Sequence, residues 1–400
     1  YYPIATVIWL AAPDLAGVYK QLLAGGAAAL TVSFLMLTVL RSRRNILQGL
    51  SWPQTVRAPE TWGFAFLVWI TVVTASQPQP SSVQNLLVYL VFFAAVLLAQ
   101  FFAETFVPML RIFVWSFVGL LLGLGLVNAT NGFLLSSIGA QLGGPRLYAS
   151  YAVLGVVAIF AIPMTTWLRI VIGFGLLAGA VASSSRSSMT TLLVVLVIGV
   201  IITAPSFWRR FALIVPAGIL ILIGVLQLPW IRAHMEVSSI TTPGMPFDDS
   251  GRGIGWTAVL ESWFLAPFFG QGAGSSQSVT RQLESPLDHP HSEYLRILHD
   301  SGLAGFLLFG AFVVLALLWL WPRANGRPRG ESVIAGFLLL VAGLVLGTIE
   351  NYLVFPSLMW PAAVFLGLGL AAGRRDCQSP LDPRRKVRAT SSENTVLPQT

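Results

Sequence analysis

Long apolar runs of similar length recur along almost the whole 400-residue chain, separated by short polar connections. They fall near residues 21–40, 61–76, 83–103, 106–127, 148–168, 170–184, 187–204, 211–228, 303–321, 331–349 and 357–373. A helix that crosses a bilayer needs about 20 mostly apolar residues, so these runs predict eleven spans. A β-barrel would show short alternating segments instead of solid apolar blocks, and lipid leaves only helices or closed barrels as options. Several connections are very short, which forces neighbouring helices to run antiparallel. The predicted class is an all-α polytopic membrane protein, a bundle of about 11–12 transmembrane helices with one long loop over residues 229–301.

Composition narrows this further. The chain is 55% hydrophobic and 10% charged, with a mean hydropathy of +0.76, whereas a soluble domain carries about a quarter of its residues charged. The single cysteine, Cys377, excludes an internal disulfide and a cysteine-based metal site. A net charge of +8 suggests nucleic acid only where the basic residues cluster on one soluble face, and here they are scattered between apolar runs. Their distribution is topological. Alternate connections hold 17 of the 24 Lys and Arg, while the other side holds 10 of the 16 Asp and Glu together with the long loop. Positive charge is retained on the cytoplasmic side, so the loop over 229–301 is expected to be extracytoplasmic. The segment 1–373 reads as one transmembrane domain and 374–400 as a disordered basic cytoplasmic tail. The opening YYPIATVIWLAAP is about half a span long and reads as the end of a helix cut short.

Ionisable residues deep inside spans mark ion or substrate paths, and almost none occur. Arg111, Arg169, Glu104 and Glu350 lie near span ends and read as topology anchors. Positive charge on the outer side is less ordinary. Arg186 sits in ASSSRSSM between two spans, where a guanidinium among hydroxyls can hold an anionic head group through its planar fork. Arg252, flanked by glycines, opens a run with Trp256, Val259, Leu260, Trp263 and Phe264 at helical spacing. That run predicts an amphipathic helix with an aromatic face suited to the head-group boundary. Gly270, Gly272 and Gly274 are compatible with an anion-binding turn, although a lone G-x-G is commonplace in a chain with 37 glycines.

The segment LDHPHSEYLRILHDSG places His289, His291 and His299 just before an apolar span. Their spacing, with Pro290 intervening, matches no usual metal-ligand pattern, so no metal or other cofactor is expected. A histidine at the start of a helix entering the membrane is suited to general base or acid work. That residue is His291, with Glu293 or Asp288 as candidates to orient its ring and Tyr294 as a candidate substrate contact.

These segments resemble the bacterial O-antigen ligase and O-antigen polymerase superfamily. PHSEYLRILHDSGLAGFLLF is similar to its histidine-bearing H-N/S-x-Y-L segment and following helix, SGRGIGWTAVLESWFLAPFFGQGAG to its G-R, W and P-x-x-G-x-G segment, and SSSRSSM to a shorter arginine-bearing element. The resemblance implies a GT-C-like helical glycosyltransferase of the bacterial inner membrane, acting at its periplasmic face without metal. It implies an undecaprenyl-diphosphate-linked glycan as donor and a hydroxyl of a glycan or lipid-A core as acceptor. It also implies Arg186 and Arg252 as diphosphate-binding residues and His291 as the catalytic histidine, while Trp256 and Tyr294 are further candidates for contact with the diphosphate or lipid carrier. Ser292 stands where asparagine is commoner. The lipid bilayer is a partner on either count, and nucleic acid is not. Ligase and polymerase differ in acceptor alone, and no motif separates them. A polysaccharide or lipid exporter without catalytic activity is the alternative, but it requires polar residues lining a path through several spans, and these spans are uniformly apolar.

Overall fold

The computed structural model describes residues 58–79, 81–130, 145–183, 185–203, 252–283, 289–325 and 330–378. The spans expected at 21–40 and 211–228, the opening segment, the first part of the long loop and the end of the tail lie outside the described residues. All regular elements among the described residues are helical. In chain order they are α1 (Pro59–Ser76), α2 (Ser82–Phe101), α3 (Ala103–Thr130), α4 (Pro145–Ile159), α5 (Thr166–Ala182), α6 (Arg186–Thr203), α7 (Arg252–Trp263), α8 (Ser275–Arg281), α9 (Glu293–Asn325), α10 (Glu331–Leu346), a short 3-10 turn (Tyr352–Val354) and α11 (Pro356–Gln378). Among the described residues, four stretches are long and apolar enough to cross a bilayer: Ser82–Phe101, Ala103–Leu126, Glu293–Ala324 and Ser357–Arg374. Shorter apolar helices over Leu147–Ile159, Thr166–Val181, Ser187–Thr203 and Glu331–Leu346 accompany them. This is a polytopic helical membrane protein.

Helices α1, α2, α9, α10 and α11 form one packed group and α3, α4, α5 and α6 another, joined where α10 packs on α4 and α6. In α1 the helical period is plain: Phe66, Ile70 and Val73 are buried, while Phe64, Val68 and Val72 on the other face are exposed. The buried face meets an aromatic cluster in which Phe66 lies 5.2 Å from Tyr89 and 5.3 Å from Phe309, and Phe93 lies 5.0 Å from Phe312. Exposed apolar residues such as Ile112, Leu307, Val314 and Leu318 would be costly in water but are ordinary in contact with lipid.

Two boundaries differ from expectation. The run over 148–168 does not form one helix, because α4 ends at Ile159 ahead of Pro163. Arg169 from α5 closes that end: its Nε donates to the Ile159 carbonyl at 3.2 Å and its Nη2 to the Ile162 carbonyl at 3.0 Å, with the guanidinium 5.2 Å from the centre of the Phe160 ring. It is therefore a buried helix cap rather than a snorkelling anchor. At the other boundary, α11 continues through residues 374–378, which the sequence pattern assigned to the disordered tail. Arg374 pairs with Glu60 at 2.6 Å, which ties the end of α11 to the start of α1. Arg323, donating to the Gly373 carbonyl at 3.0 Å, shares that end of the bundle.

The opposite end is organised by a break in α9. Gly302 adopts φ 65 and ψ −177 and interrupts the helix, so nearby backbone groups lose their in-helix partners. The loop after α7 supplies new ones. Leu303 and Ala304 donate to the carbonyls of Pro267 and Phe268 at 2.8 and 3.2 Å, while Gln271 and Gly272 donate to the carbonyls of His299 and Asp300 at 3.2 and 2.9 Å. The Trp69 indole N–H caps the Ser301 carbonyl at 2.8 Å. Gly270 and Gly302 meet backbone to backbone, and both have positive φ.

A side chain at Gly270 would run into the Gly302 amide and would also have to hold φ +80. Gly270→Ala is expected to cost more than the about 1–3 kcal/mol of backbone strain alone and to lower the thermal unfolding midpoint in detergent markedly. Gly119→Ala, where nothing lies within 4 Å, should leave the midpoint unchanged or slightly raised. Equal midpoints in the two variants would show that the weld at Gly302 does not support the fold.

Candidate functional site

His291 lies immediately before α9 and is the one non-glycine residue among the described residues with positive φ, at 50. Such a conformation persists only where its surroundings fix it, and both flanks are fixed. On one side the Trp256 indole of α7 donates to the Pro290 carbonyl at 2.7 Å. On the other, the Glu293 amide donates to the Gly347 carbonyl, at the end of α10, at 2.8 Å, and the Ser292 hydroxyl accepts from the Leu295 amide at 3.4 Å as the cap of α9. Strain at one residue is thereby held by three helices.

The ring of His291 faces an acid. Its Nδ1 lies 3.4 Å from Glu350 Oε2, and the other carboxylate oxygen accepts from Arg252 Nη2 at 3.1 Å. The Ser187 hydroxyl, one residue into α6, lies 3.5 Å from the same oxygen. Four helix ends thus meet at one carboxylate: the starts of α6, α7 and α9 and the turn after α10. The side chains of Arg252, Glu350 and His291 are 15%, 11% and 29% exposed, so the cluster is sheltered but reachable. A carboxylate opposite one imidazole nitrogen orients the ring and leaves the other nitrogen for proton transfer, and a guanidinium is suited to binding anions through its planar fork.

The sequence candidates fall into separate places. Arg252 and His291 come together on Glu350, and Trp256 supports them through Pro290. Arg186 opens α6, one residue from Ser187. Tyr294 points elsewhere: its hydroxyl donates to the Leu344 carbonyl of α10 at 2.6 Å. Glu293 is fully buried and paired with Arg296, which also stands 4.8 Å over the Tyr89 ring and 3.5 Å from Asn85 Oδ1. Asp288 lies outside the described residues.

The glycine turn at 270–274 does bind an anion, and that anion is internal. Asp300 accepts from the amides of Gly274 and Ser276 at 2.9 Å each and from the Ser275 hydroxyl at 3.0 Å. His299, also fully buried, sits between the hydroxyls of Ser275 at 2.9 Å and Ser262 at 3.0 Å. This pair locks the loop to α9 and is remote from solvent. The serines beside Arg186 are largely committed to packing as well, with Ser185 donating to Ser188 at 3.1 Å and Ser188 lying 3.4 Å from Ser150 of α4.

Glu350 is the residue that sequence reasoning passed over. It read as a span-end anchor, yet it is buried and shared by Arg252 and His291. One signal was present: it is the only acid between Glu331 and Asp376, and it lies on the side where the unexplained arginines also lie.

A helical membrane protein with an arginine, a histidine and a carboxylate gathered at one end of its bundle is the class these elements define. Residues 170–310 match the family model described as O-antigen ligase, a stretch that contains Arg186, Arg252 and His291. The match supports the O-antigen ligase and polymerase superfamily that the motifs resemble, and with it a membrane role of that type in polysaccharide synthesis. No curated protein matches the chain.

Asp300→Asn tests the internal anion. An amide in that place turns a donor toward backbone donors, and each buried group left unsatisfied costs about 1–3 kcal/mol. The variant is expected to unfold at lower temperature and to be cleaved faster by protease within 264–283. An unchanged cleavage pattern would mean that the turn holds its shape without the carboxylate.

Proposed function

We propose that the protein is a membrane glycosyltransferase that moves a glycan from undecaprenyl diphosphate to an acceptor hydroxyl at the periplasmic face of the bacterial inner membrane. The acceptor is a growing glycan or a lipid-A core. The observation that carries this reading is the convergence of Arg252, His291 and the start of α6 on Glu350. The anomeric carbon of the donor already bears a good leaving group. The protein's task is then to take a proton from the attacking alcohol and to neutralise the diphosphate as it departs. In this mechanism Glu350 holds the Nδ1 side of His291, and Nε2 accepts the acceptor's proton as its oxygen bonds to the anomeric carbon. The bond from that carbon to the diphosphate oxygen breaks, and the electron pair leaves with the phosphate. Arg252 binds the departing diphosphate, joined by Arg186 and the amide N–H groups of the first turn of α6, an end of a helix that favours anions. Trp256 keeps the His291 backbone in place. No step calls for a metal ion.

The test is purified protein with undecaprenyl-diphosphate oligosaccharide and candidate acceptors, scored by the size of the products. His291→Ala is expected to lower the single-turnover rate by about a hundred- to ten-thousand-fold while donor binding persists. His289→Ala should lose far less. Glu350→Gln should lower the rate without abolishing donor binding. Arg252→Lys, which keeps the charge and loses the fork, should weaken both. A fully active His291→Ala would sink the general-base assignment. EDTA should leave turnover unchanged, and a loss restored by Mg²⁺ or Mn²⁺ would contradict the metal-free mechanism.

A further inference from the structure

His299 takes no part in the proposed chemistry, yet it is fully buried and both its ring nitrogens are engaged. The Ser275 hydroxyl gives its proton to Asp300 at 3.0 Å, so toward the imidazole 2.9 Å away it acts as acceptor. Nδ1 of His299 therefore carries the ring proton, and Nε2 accepts from the Ser262 hydroxyl at 3.0 Å. Gln271 Nε2 in turn donates to Ser262 Oγ at 3.3 Å. Gln271, Ser262, His299, Ser275 and Asp300 thus form one chain of hydrogen bonds running in a single sense. The ring stands at its middle and joins α7 to α8 and to its own helix.

What this chain holds in place is α7. That helix is gripped on one face: Gly253, Gly255 and Val259 are buried, whereas Ile254, Thr257, Leu260 and Glu261 are exposed. Two side-chain hydrogen bonds tie it to the stretch that carries His291, from Trp256 to the Pro290 carbonyl and from Ser262 to the His299 ring. One such tie leaves a helix able to pivot, and a second fixes its direction. Arg252 precedes the first tie and Ser262 follows it, on arms of about 6 and 9 Å at 1.5 Å of rise per residue. A displacement of about 1.5 Å at Ser262 therefore swings Arg252 by about 1 Å the opposite way, against a contact with Glu350 of 3.1 Å. A misplacement of that size is enough to spoil the alignment of a reacting site. We infer that His299 is a positioning residue acting through Ser262: it sets the angle of α7 and with it the place of Arg252 opposite His291. This inference rests on the proposed function and adds to it a residue that never touches the substrate.

The experiment measures glycan transfer by the full chain in lipid nanodiscs, with KM determined separately for the undecaprenyl-diphosphate oligosaccharide and for the acceptor. Ser262→Ala removes the tie and leaves His299 and Asp300 in place. His299→Asn keeps a donor for Ser275 and loses the reach to Ser262, whereas His299→Gln puts a carbonyl near the place of Nε2 and keeps an acceptor for Ser262. Ser262→Ala and His299→Asn are expected to raise the donor KM about three- to tenfold, the worth of one hydrogen bond, and to leave the acceptor KM unchanged. His299→Gln should bring the donor KM back to near the wild-type value. In an Arg252→Lys background Ser262→Ala should add little, since both changes act through the same group. Spin labels at Ile254→Cys and Leu318→Cys, both exposed sites, report the helix directly once Cys377→Ser has removed the native thiol. Their distance distribution should broaden in Ser262→Ala and His299→Asn and stay narrow in His299→Gln. Unchanged label distances in Ser262→Ala, or a raised donor KM that His299→Gln does not relieve, overturn the positioning role and leave the proposed function standing. A lowered unfolding midpoint with an unaltered donor KM makes His299 a support of the fold alone and overturns it as well. If the wild-type protein transfers no glycan, the proposed function falls and this role falls with it.

Discussion

The backbone break at Gly302 is the constraint on which this end of the molecule depends. Close to lipid, a freed amide or carbonyl cannot turn to water and costs several kcal/mol if left alone. A kinked α9 is tolerable only because other parts of the chain bring the missing partners. The loop over 267–272 brings most of them, and Trp69 brings another. The loop cannot leave without exposing those groups again, so the kink that bends α9 also fastens α7 and α8 to it. Thr74 and Ser82 extend the fastening to α1 and α2, through contacts of 2.9 Å to Ala273 in each case.

The cluster at Glu350 is restrained in the same manner, by ties between elements. The residues that meet at Glu350 come from helix ends, which are ordinarily the least restrained parts of a bundle. Here each end is tied to a different neighbour: α7 through Trp256 to Pro290, α9 through the Glu293 amide to Gly347, and α6 through buried serines to α4. A strained His291 backbone is stable in such a frame and would relax in a mobile loop.

Much of this was legible in the sequence because it depends on period and composition. Apolar blocks located α1, α2, α3, α5, α6, α10 and α11, and the Trp256–Phe264 spacing located α7. Arg252 and His291 were identifiable because charge on the outer side and a histidine at a helix start have few ordinary explanations. What stayed hidden depends on tertiary pairing. Arg169 and Glu350 looked alike as charges at span ends, yet one caps α4 and the other joins Arg252 to His291. No local pattern separates those roles, since the partner lies 98 residues away for Arg252 and 59 for His291. The glycine turn was legible as an anion site but not as one filled by Asp300, because the occupant comes from α9, beyond α8.

The acid nearest His291 in sequence shows why proximity along the chain misled. Arg296 is fully buried, and a buried guanidinium must be paired or it destabilises the fold by several kcal/mol. Glu293 meets that demand from one turn away, with Asn85, itself held at 3.0 Å by Gln277 of α8, on the other side. A carboxylate so committed cannot also serve a histidine at the surface of the bundle without leaving Arg296 uncompensated. The pairing of Arg296 therefore keeps Glu293 out of the cluster at His291, whose ring takes its acid from the turn after α10. Which acid faces His291 is thus set by where a structural charge must be satisfied.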